Sequence, residues 1–257
     1  MAIGKKQRRK SSSAAIYVPV CVLLTLFFIM IGLSAFMKIT DIEVTGASRY
    51  TKEEITEASE LKPSDNLFFL NTGSAERRIQ SVLPYISEVK IEARFPDRLH
   101  ISVVESKAVA TLKFRSDILM IDSAARVVET IEPDGSVPGG LIEVRGFTPL
   151  AADLGSRLRA DITAETHLQA MRDMLAAIER EGFEELITYI DISNISNITF
   201  DYTDRFRVIL DTPHSIRQNM ALLQGIVKDY EENNAPGVRA TIRKIDGTGE
   251  WRFTPER

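Results

Sequence analysis

Residues 94–103 read Arg94-Phe95-Pro96-Asp97-Arg98-Leu99-His100-Ile101-Ser102-Val103, a turn followed by an alternating strand. The turn combines proline with aspartate, residue types that interrupt a strand and reverse the chain. After the turn, Leu99, Ile101 and Val103 recur at every second position, a period typical of a strand with one buried face. The stretch therefore predicts the second half of a β-hairpin whose apolar face lies in a core.

The residues upstream of this hairpin predict a small α+β unit around it. A short strand over 39–45 is followed by a helix that begins with a capping-box pattern at residues 51–54. A second helix is stopped by Pro84, and an alternating strand over 86–91 then leads into the turn. The predicted order is β-α-α-β-β over residues 38–106.

The remaining residues, 107–257, predict a second mixed α+β domain. The helix over 163–181 carries its apolar residues at helical spacing, and so does the helix over 215–231. The last strand of the chain is expected to lie at the edge of a sheet. The predicted strands are 108–114, 118–122, 127–131, 141–144, 186–192, 198–202, 206–210, 238–245 and 250–253.

Residues 14–37, AAIYVPVCVLLTLFFIMIGLSAFM, contain no charged side chain and follow the basic run KKQRRK of residues 5–10 after three serines. A helix of this length extends about 36 Å, enough to cross a hydrocarbon core of about 30 Å. Basic flanks stay in the cytoplasm, so residues 1–13 are predicted to be a cytoplasmic tail and residues 38–257 extracytoplasmic. The expectation is a single-pass type II protein of the cell membrane.

Two other interpretations of the apolar run are less consistent with its residues. A cleaved signal peptide has an apolar core of about 7 to 15 residues, whereas this run is longer and ends in a poor cleavage site. A lipoprotein needs a cysteine at the end of the run after a small residue, but Cys21 lies near its start and follows Val20. We therefore expect a permanent anchor.

Charge and cysteine content restrict the kind of partner. All 36 acidic side chains but only 27 of the 32 basic ones lie beyond residue 37, which gives that part a net charge of −9. Nucleic-acid binding requires a basic surface, so a nucleic-acid partner is not expected. The only cysteine, Cys21, lies in the apolar run, so the extracytoplasmic part must fold by burial of apolar side chains and without disulfides.

Several motifs carry a resemblance to a known family. Four stretches in this order resemble a POTRA domain: Ile42-Glu43-Val44-Thr45-Gly46, Asn66-Leu67-Phe68, Leu83-Pro84-Tyr85-Ile86, and Arg94 to Val103. One such domain directly after one membrane helix resembles the FtsQ/DivIB family of bacterial cell-division proteins. The resemblance implies a scaffold at the division septum that binds FtsB/DivIC-type and FtsL-type membrane proteins and helps recruit and regulate septal peptidoglycan synthesis. The alternative is a membrane-anchored POTRA module of a secretion or envelope-assembly system.

Catalysis is not expected from the motifs present. Ser87-Glu88-Val89-Lys90 matches the S-x-x-K pattern of acyl-serine enzymes, but an alternating strand sends Ser87 and Lys90 to opposite faces. The three histidines, His100, His167 and His214, are at least 47 residues apart and do not suggest a metal site. The sequence thus predicts a non-enzymatic protein without a cofactor or metal.

The predicted partner-binding site lies at the end of the chain. A terminal strand at a sheet edge leaves backbone groups that a partner strand can pair with. Trp251 is the only tryptophan and lies among charged neighbours, as a contact residue would, and the resemblance implies partner binding through this late region. The alternative is that Trp251 and Phe253 close the core of the second domain. The predicted site residues are Ile242, Lys244, Ile245, Trp251 and Phe253.

Overall fold

The structure, a computed structural model, describes residues 14–210, 216–233, 238–244 and 250–255, without the side chains of residues 14–16, 30 and 33–36. Helix α1 (Ala14–Phe36) covers the apolar run. Counting only the fully described residues, no helix is long and apolar enough to cross a membrane. The membrane-spanning helix therefore stays a prediction. The cytoplasmic tail, residues 1–13, lies outside the described residues.

The first unit consists of a three-stranded sheet and two helices. The capping box begins α2, because the Thr51 side chain accepts from the backbone of Glu54 and the Glu54 side chain accepts from the backbone of Thr51. Strands β2 and β3 form the predicted hairpin. The elements are β1 (Asp41–Thr45), α2 (Lys52–Ser59), a 3-10 turn (Leu67–Phe69), α3 (Thr72–Val82), β2 (Ile86–Arg94) and β3 (Arg98–Glu105).

Strand β3 is the central strand of this sheet, whose order is β1-β3-β2. Leu99, Ile101 and Val103 are buried, whereas Ser102 between them is partly exposed. The predicted register of the strand is confirmed. Its buried face packs on apolar residues of both helices, including Ile55 and Ile79.

The second unit is a nine-stranded sheet with two helices. The mixed α+β class is confirmed. Its elements are β4 (Ala110–Phe114), β5 (Asp117–Ile121), β6 (Val127–Ile131), β7 (Ile142–Arg145), α4 (Glu165–Glu181), β8 (Tyr189–Asp191), β9 (Ile198–Tyr202), β10 (Phe206–Leu210), α5 (Ile216–Asn233), β11 (Ala240–Lys244) and β12 (Trp251–Pro255).

The strands lie in the order β12-β11-β10-β9-β8-β7-β4-β5-β6. Helices α4 and α5 contact each other and bury their apolar stripes in the same core as the sheet. Both stripes are buried as predicted: Leu168, Met171, Leu175 and Ile178 on α4, and Ile216, Met220, Leu223 and Val227 on α5.

One strand is much shorter than predicted. The sequence predicts a strand over 186–192, but β8 contains only three residues. The carboxylate of Asp201 accepts from the backbone N–H and the hydroxyl of Thr188, and the N–H of Leu186 donates to the carbonyl of Phe183. The Asp201 carboxylate thus takes the N–H of Thr188, so that only single backbone bonds remain here, from the N–H of Glu143 to the Thr188 carbonyl and from the N–H of Thr203 to the Leu186 carbonyl.

The two units meet at the start of β6. The buried guanidinium of Arg126 donates to the Gly155 carbonyl and, at 3.4 Å, to the Ser87 carbonyl of β2. The hydroxyl of Tyr85 donates to the Glu129 carboxylate at 2.8 Å. Burial, together with this bond to Glu129, raises the pKa of Tyr85 to about 12.

The loop before α2 is attached to the end of β3 through Glu105. The Glu105 carboxylate accepts from the hydroxyl of Ser48 and from the backbone N–H groups of Ser48 and Arg49. Desolvation raises the pKa of Glu105, but these hydrogen bonds outweigh it and hold the pKa below its usual value. The bonds place Arg49 over the ring of Tyr85, with its guanidinium carbon 3.7 Å from the ring centre.

The register of β3 predicts opposite outcomes at adjacent positions. Ile101→Asp would place an unpaired charge in the core and should cost several kcal/mol, enough to unfold the first unit. Ser102→Asp, on the partly exposed face, should change stability by less than about 1 kcal/mol. Urea denaturation of the full chain measures both. Equal losses at the two positions would contradict the register.

Candidate functional site

Strand β12 forms one edge of the nine-stranded sheet. It pairs antiparallel with β11, with Trp251 opposite Lys244 and Phe253 opposite Ile242. In the described part of the chain, β11 is its only neighbour in the sheet. The outer side of β12 is therefore an open edge.

The pairing of β11 determines which residues of β12 face this open edge. The N–H of Ala240 donates to the carbonyl of Arg205, so the backbone groups of Ala240 point towards β10. Backbone groups alternate in direction along a strand, and those of Thr241 and Arg243 therefore point towards β12.

The register then assigns the groups of β12 itself. Arg252 and Thr254 lie opposite Arg243 and Thr241, so their backbone groups pair with β11. By alternation, the backbone N–H and C=O groups of Trp251 and Phe253 point outwards. An added strand would bond to these four groups.

Aromatic stacking holds β12 against helix α5. The ring of Phe253 stacks on that of Tyr230, with 4.1 Å between ring centres and 7° between ring planes. Tyr230 in turn contacts the buried Phe206 edge to face, at 6.1 Å. Two successive ring contacts, Phe253 on Tyr230 and Tyr230 on Phe206, thus attach the edge strand to the core.

The other predicted site residues lie in different environments. Trp251 is partly buried and packs against the core, and the Nζ atom of Lys244 donates to the side chain of Asn219 at 2.8 Å. Ile242 is completely buried, so its side chain does not reach the surface and does not support a direct partner contact. Its position in the centre of β11, between β10 and β12, accounts for this burial. Ile245 lies outside the described residues.

The β2 edge of the smaller sheet is protected, because side chains bond to its outer backbone groups. On the side of β2 away from β3, the N–H of Ile91 donates to the Glu76 carboxylate at 2.9 Å. Gln80, one turn further along α3, donates its amide to the carbonyl of Ser87 at 2.8 Å. These side chains occupy positions that a partner strand would need, a common protection of edge strands.

The β6 edge of the large sheet is covered by a loop. The N–H of Gly155 donates to the carbonyl of Val127, and the N–H of Val127 donates to the carbonyl of Ser156. Gly155 has a φ of +72°, and a Cβ atom there would lie 2.6 Å from the carbonyl oxygen of Gln80. Glycine is needed because the loop passes this close to the first unit.

The fourth edge, β1, borders a groove of about 670 Å³ between this strand and helix α2. Charged side chains line the groove, and the Nζ atom of Lys52 lies 3.4 Å from the Asp41 carboxylate at its rim. Charges beside an edge strand oppose the addition of another strand. Of the four edges, β12 combines open backbone groups with aromatic side chains.

The residues considered for catalysis have structural contacts. Ser87 lies in β2 and its hydroxyl donates to the Val104 carbonyl at 2.9 Å, whereas Lys90 pairs with Glu92. Among the residues that the structure describes, no group of three or more His, Cys, Asp or Glu side chains is arranged to hold a metal ion. His214 lies outside these residues.

Sequence reasoning missed two kinds of residue: Glu76 and Gln80, which close the β2 edge, and Tyr230, which holds β12. Glu76 and Gln80 have the one-turn spacing of a solvated helix face, and Tyr230 lies among acidic neighbours near the end of α5. The four-residue spacing of Glu76 and Gln80 was a usable signal, because it aligns both side chains on the strand that follows. The stacking of Tyr230 had no signal of its own in the sequence.

The fold and its open edge define a class of protein: a small α+β domain joined to a large sheet that ends in an unprotected strand. Residues 37–106 match the family described as "POTRA domain, FtsQ-type". The chain is 26% identical over 233 residues to the cell division protein DivIB of Clostridium botulinum strain Hall, covering 91% of this chain and 88% of the relative.

Two further relatives match about half of the chain. DivIB of Bacillus subtilis strain 168 is 25% identical over 142 residues, which is 52% of each protein. FtsQ of Corynebacterium glutamicum is 25% identical over 127 residues, covering 49% of this chain and 55% of the relative. The predicted resemblance is confirmed: residues 37–106 match an FtsQ-type POTRA domain, and the chain is similar to cell division proteins named DivIB and FtsQ.

The aromatic stack predicts how firmly β12 is held. Phe253→Ala removes the ring on Tyr230, and such pairs contribute about 0.5 to 1.5 kcal/mol beyond their buried area. Amide hydrogen exchange of residues 240–244 should therefore accelerate by roughly an order of magnitude. Thr254→Ala, an exposed position on the same strand, is the matched control and should leave exchange unchanged. Equal exchange in the two variants would show that the stack does not hold the strand.

Proposed function

We propose that this protein is a non-enzymatic scaffold of the cell-division machinery, anchored in the membrane by residues 14–37. Its extracytoplasmic part would consist of the POTRA domain, residues 38–106, and a second domain, residues 107–257. The open edge of β12 is the observation that carries the proposal, because an unpaired strand edge can bind an extended segment of a partner. The relatives described above, all cell division proteins, support a role in the same process.

The environment of α1 supports the anchor. The helix contains no charged residue, and the large apolar side chains described along it are exposed. Each such side chain would gain about 1.5 to 3 kcal/mol from burial in an apolar environment. A bilayer provides that environment, and the basic residues before the helix favour a cytoplasmic N-terminus.

The partners would be the FtsB/DivIC-type and FtsL-type membrane proteins that the family resemblance implies. We propose that an extended segment of the FtsB/DivIC-type protein adds to β12 as a further strand. Backbone bonds to Trp251 and Phe253 would give affinity, and the aromatic side chains beside them would give specificity. The complex would help recruit and regulate septal peptidoglycan synthesis.

Topology is tested by proteolysis from outside the cell. Protease added to spheroplasts should remove the chain beyond about residue 38 and leave a short N-terminal fragment in the membrane. An N-terminal epitope tag identifies that fragment, and permeabilised spheroplasts show whether the tail itself can be cut. A full-length chain that resists external protease would contradict the proposed orientation.

Strand addition is tested by comparing two substitutions at one residue. Phe253→Ala and Phe253→Pro both remove the ring, but only proline also removes the outward backbone N–H. Capture of a purified FtsB/DivIC-type protein by the reconstituted full chain should be much weaker with proline than with alanine. Equal capture by the two variants would contradict pairing through the backbone.

The side chains at the same edge give an independent test. Trp251→Ala combined with Lys244→Glu should abolish capture while the far-ultraviolet circular dichroism spectrum and the melting temperature are retained. Capture that survives in this variant would reject Trp251 and Lys244 as partner contacts. Capture lost only together with the fold would assign Trp251 to the core.

A further inference from the structure

Three phenylalanine side chains form an exposed aromatic patch on the POTRA domain: Phe68, Phe69 and Phe95. Their exposed fractions are 53%, 81% and 58%, and the ring centres of Phe68 and Phe95 lie 5.4 Å apart. Exposed apolar groups of this kind mark surfaces that contact another apolar phase. Neither the core of the POTRA domain nor the β12 edge uses these rings.

Both loops that carry the patch are bonded to the first residues after helix α1. The N–H of Leu67 donates to the carbonyl of Met37 at 2.9 Å, and Lys38 forms an antiparallel bridge with Asn66. Because α1 ends at Phe36, this loop is attached at the first position after the helix.

The second loop is attached in the same way. The N–H of Thr40 donates to the carbonyl of Asp97 at 2.9 Å, and its hydroxyl donates to the Asp97 carboxylate at 2.9 Å. The three patch residues lie no more than two positions from Leu67 or Asp97. At 3.3 to 3.6 Å per residue, the backbone between them extends at most about 7 Å.

This distance determines what the patch can touch. A bilayer of about 40 to 45 Å includes a hydrocarbon core of about 30 Å, so each headgroup layer is roughly 5 to 8 Å thick. If α1 spans the membrane as proposed, the chain leaves the bilayer through this layer at the residues after Phe36, and the patch lies within about 7 Å of backbone from the groups bonded to residues 37–40. Phenylalanine is among the residues that enter this layer, and the adjacent exposed Lys38 is suited to anionic headgroups.

We infer that the aromatic patch inserts into the outer surface of the bilayer and fixes the POTRA domain against the membrane. This inference rests on the proposed anchor. The bilayer is favoured over a protein partner because both loops are joined by backbone hydrogen bonds to the segment that leaves the membrane. The insertion would restrict rotation of the extracytoplasmic part about the end of α1.

The test uses tryptophan fluorescence of the full chain in vesicles of phosphatidylcholine and phosphatidylglycerol with brominated acyl chains, which quench nearby tryptophan. The natural tryptophan is first removed by Trp251→Phe. Phe69→Trp in this background should lose most of its emission in brominated vesicles, and Phe95→Trp should do the same from the other loop. Ile162→Trp, at a position that is 91% exposed in the second domain, is the matched control and should be unaffected.

A further variant distinguishes the insertion of the aromatic patch from the anchoring of helix α1 in the membrane. Phe28→Trp lies in α1 and should be strongly quenched if that helix is in the bilayer. Quenching of Phe28→Trp without quenching of Phe69→Trp and Phe95→Trp would reject the inference and keep the anchor. Such a result, obtained in vesicles without any other protein, would leave a protein partner as the occupant of the patch. An unquenched Phe28→Trp would reject both.

Discussion

The side chain of Arg126 is the contact on which the arrangement of the two sheets depends. Its guanidinium is buried and donates both to the Gly155 carbonyl and to the Ser87 carbonyl of β2. Desolvation lowers its pKa, yet an arginine stays protonated, so the buried charge requires these acceptors. One side chain thus joins the edge of the POTRA sheet, the loop over β6 and the start of β6 itself.

This contact helps to explain why the edges of the two sheets differ in their access to an added strand. The joined surfaces are the β2 edge and the β6 edge, and each is further bonded by Gln80 or by the backbone of Gly155. Strand addition at either edge would have to break bonds that are already made there. At β12 a new strand would only gain bonds, since its outward N–H and C=O groups face away from β11.

The parts of the fold that follow local periodicity could be predicted from the sequence. The alternation around Ile101 and the stripes of α4 and α5 give the buried positions, because burial on one face produces a fixed period in any strand or helix. Polar residues carry no such period. The bonding of Glu76 to β2 and the burial of Arg126 depend on which elements become neighbours, and a single sequence does not state this. The same limit applies to the candidate site, where the edge position of β12 was predictable but the complete burial of Ile242 was not.

The order of strands also sets how far the candidate edge lies from the POTRA domain. Strand β6 contacts that domain through Tyr85 and Glu129, whereas β12 is at the opposite end of the nine strands. Eight spacings of about 4.8 Å place the two edges roughly 38 Å apart along the sheet. The sheet then acts as a rigid spacer, since its strands are joined by continuous hydrogen bonding. If the chain is anchored as proposed, a partner anchored in the same membrane would need an extracytoplasmic segment long enough to pass the POTRA domain and reach this far edge. Such a segment would arrive as an extended chain or a helix end, and an extended chain is the form that an open strand edge can bind.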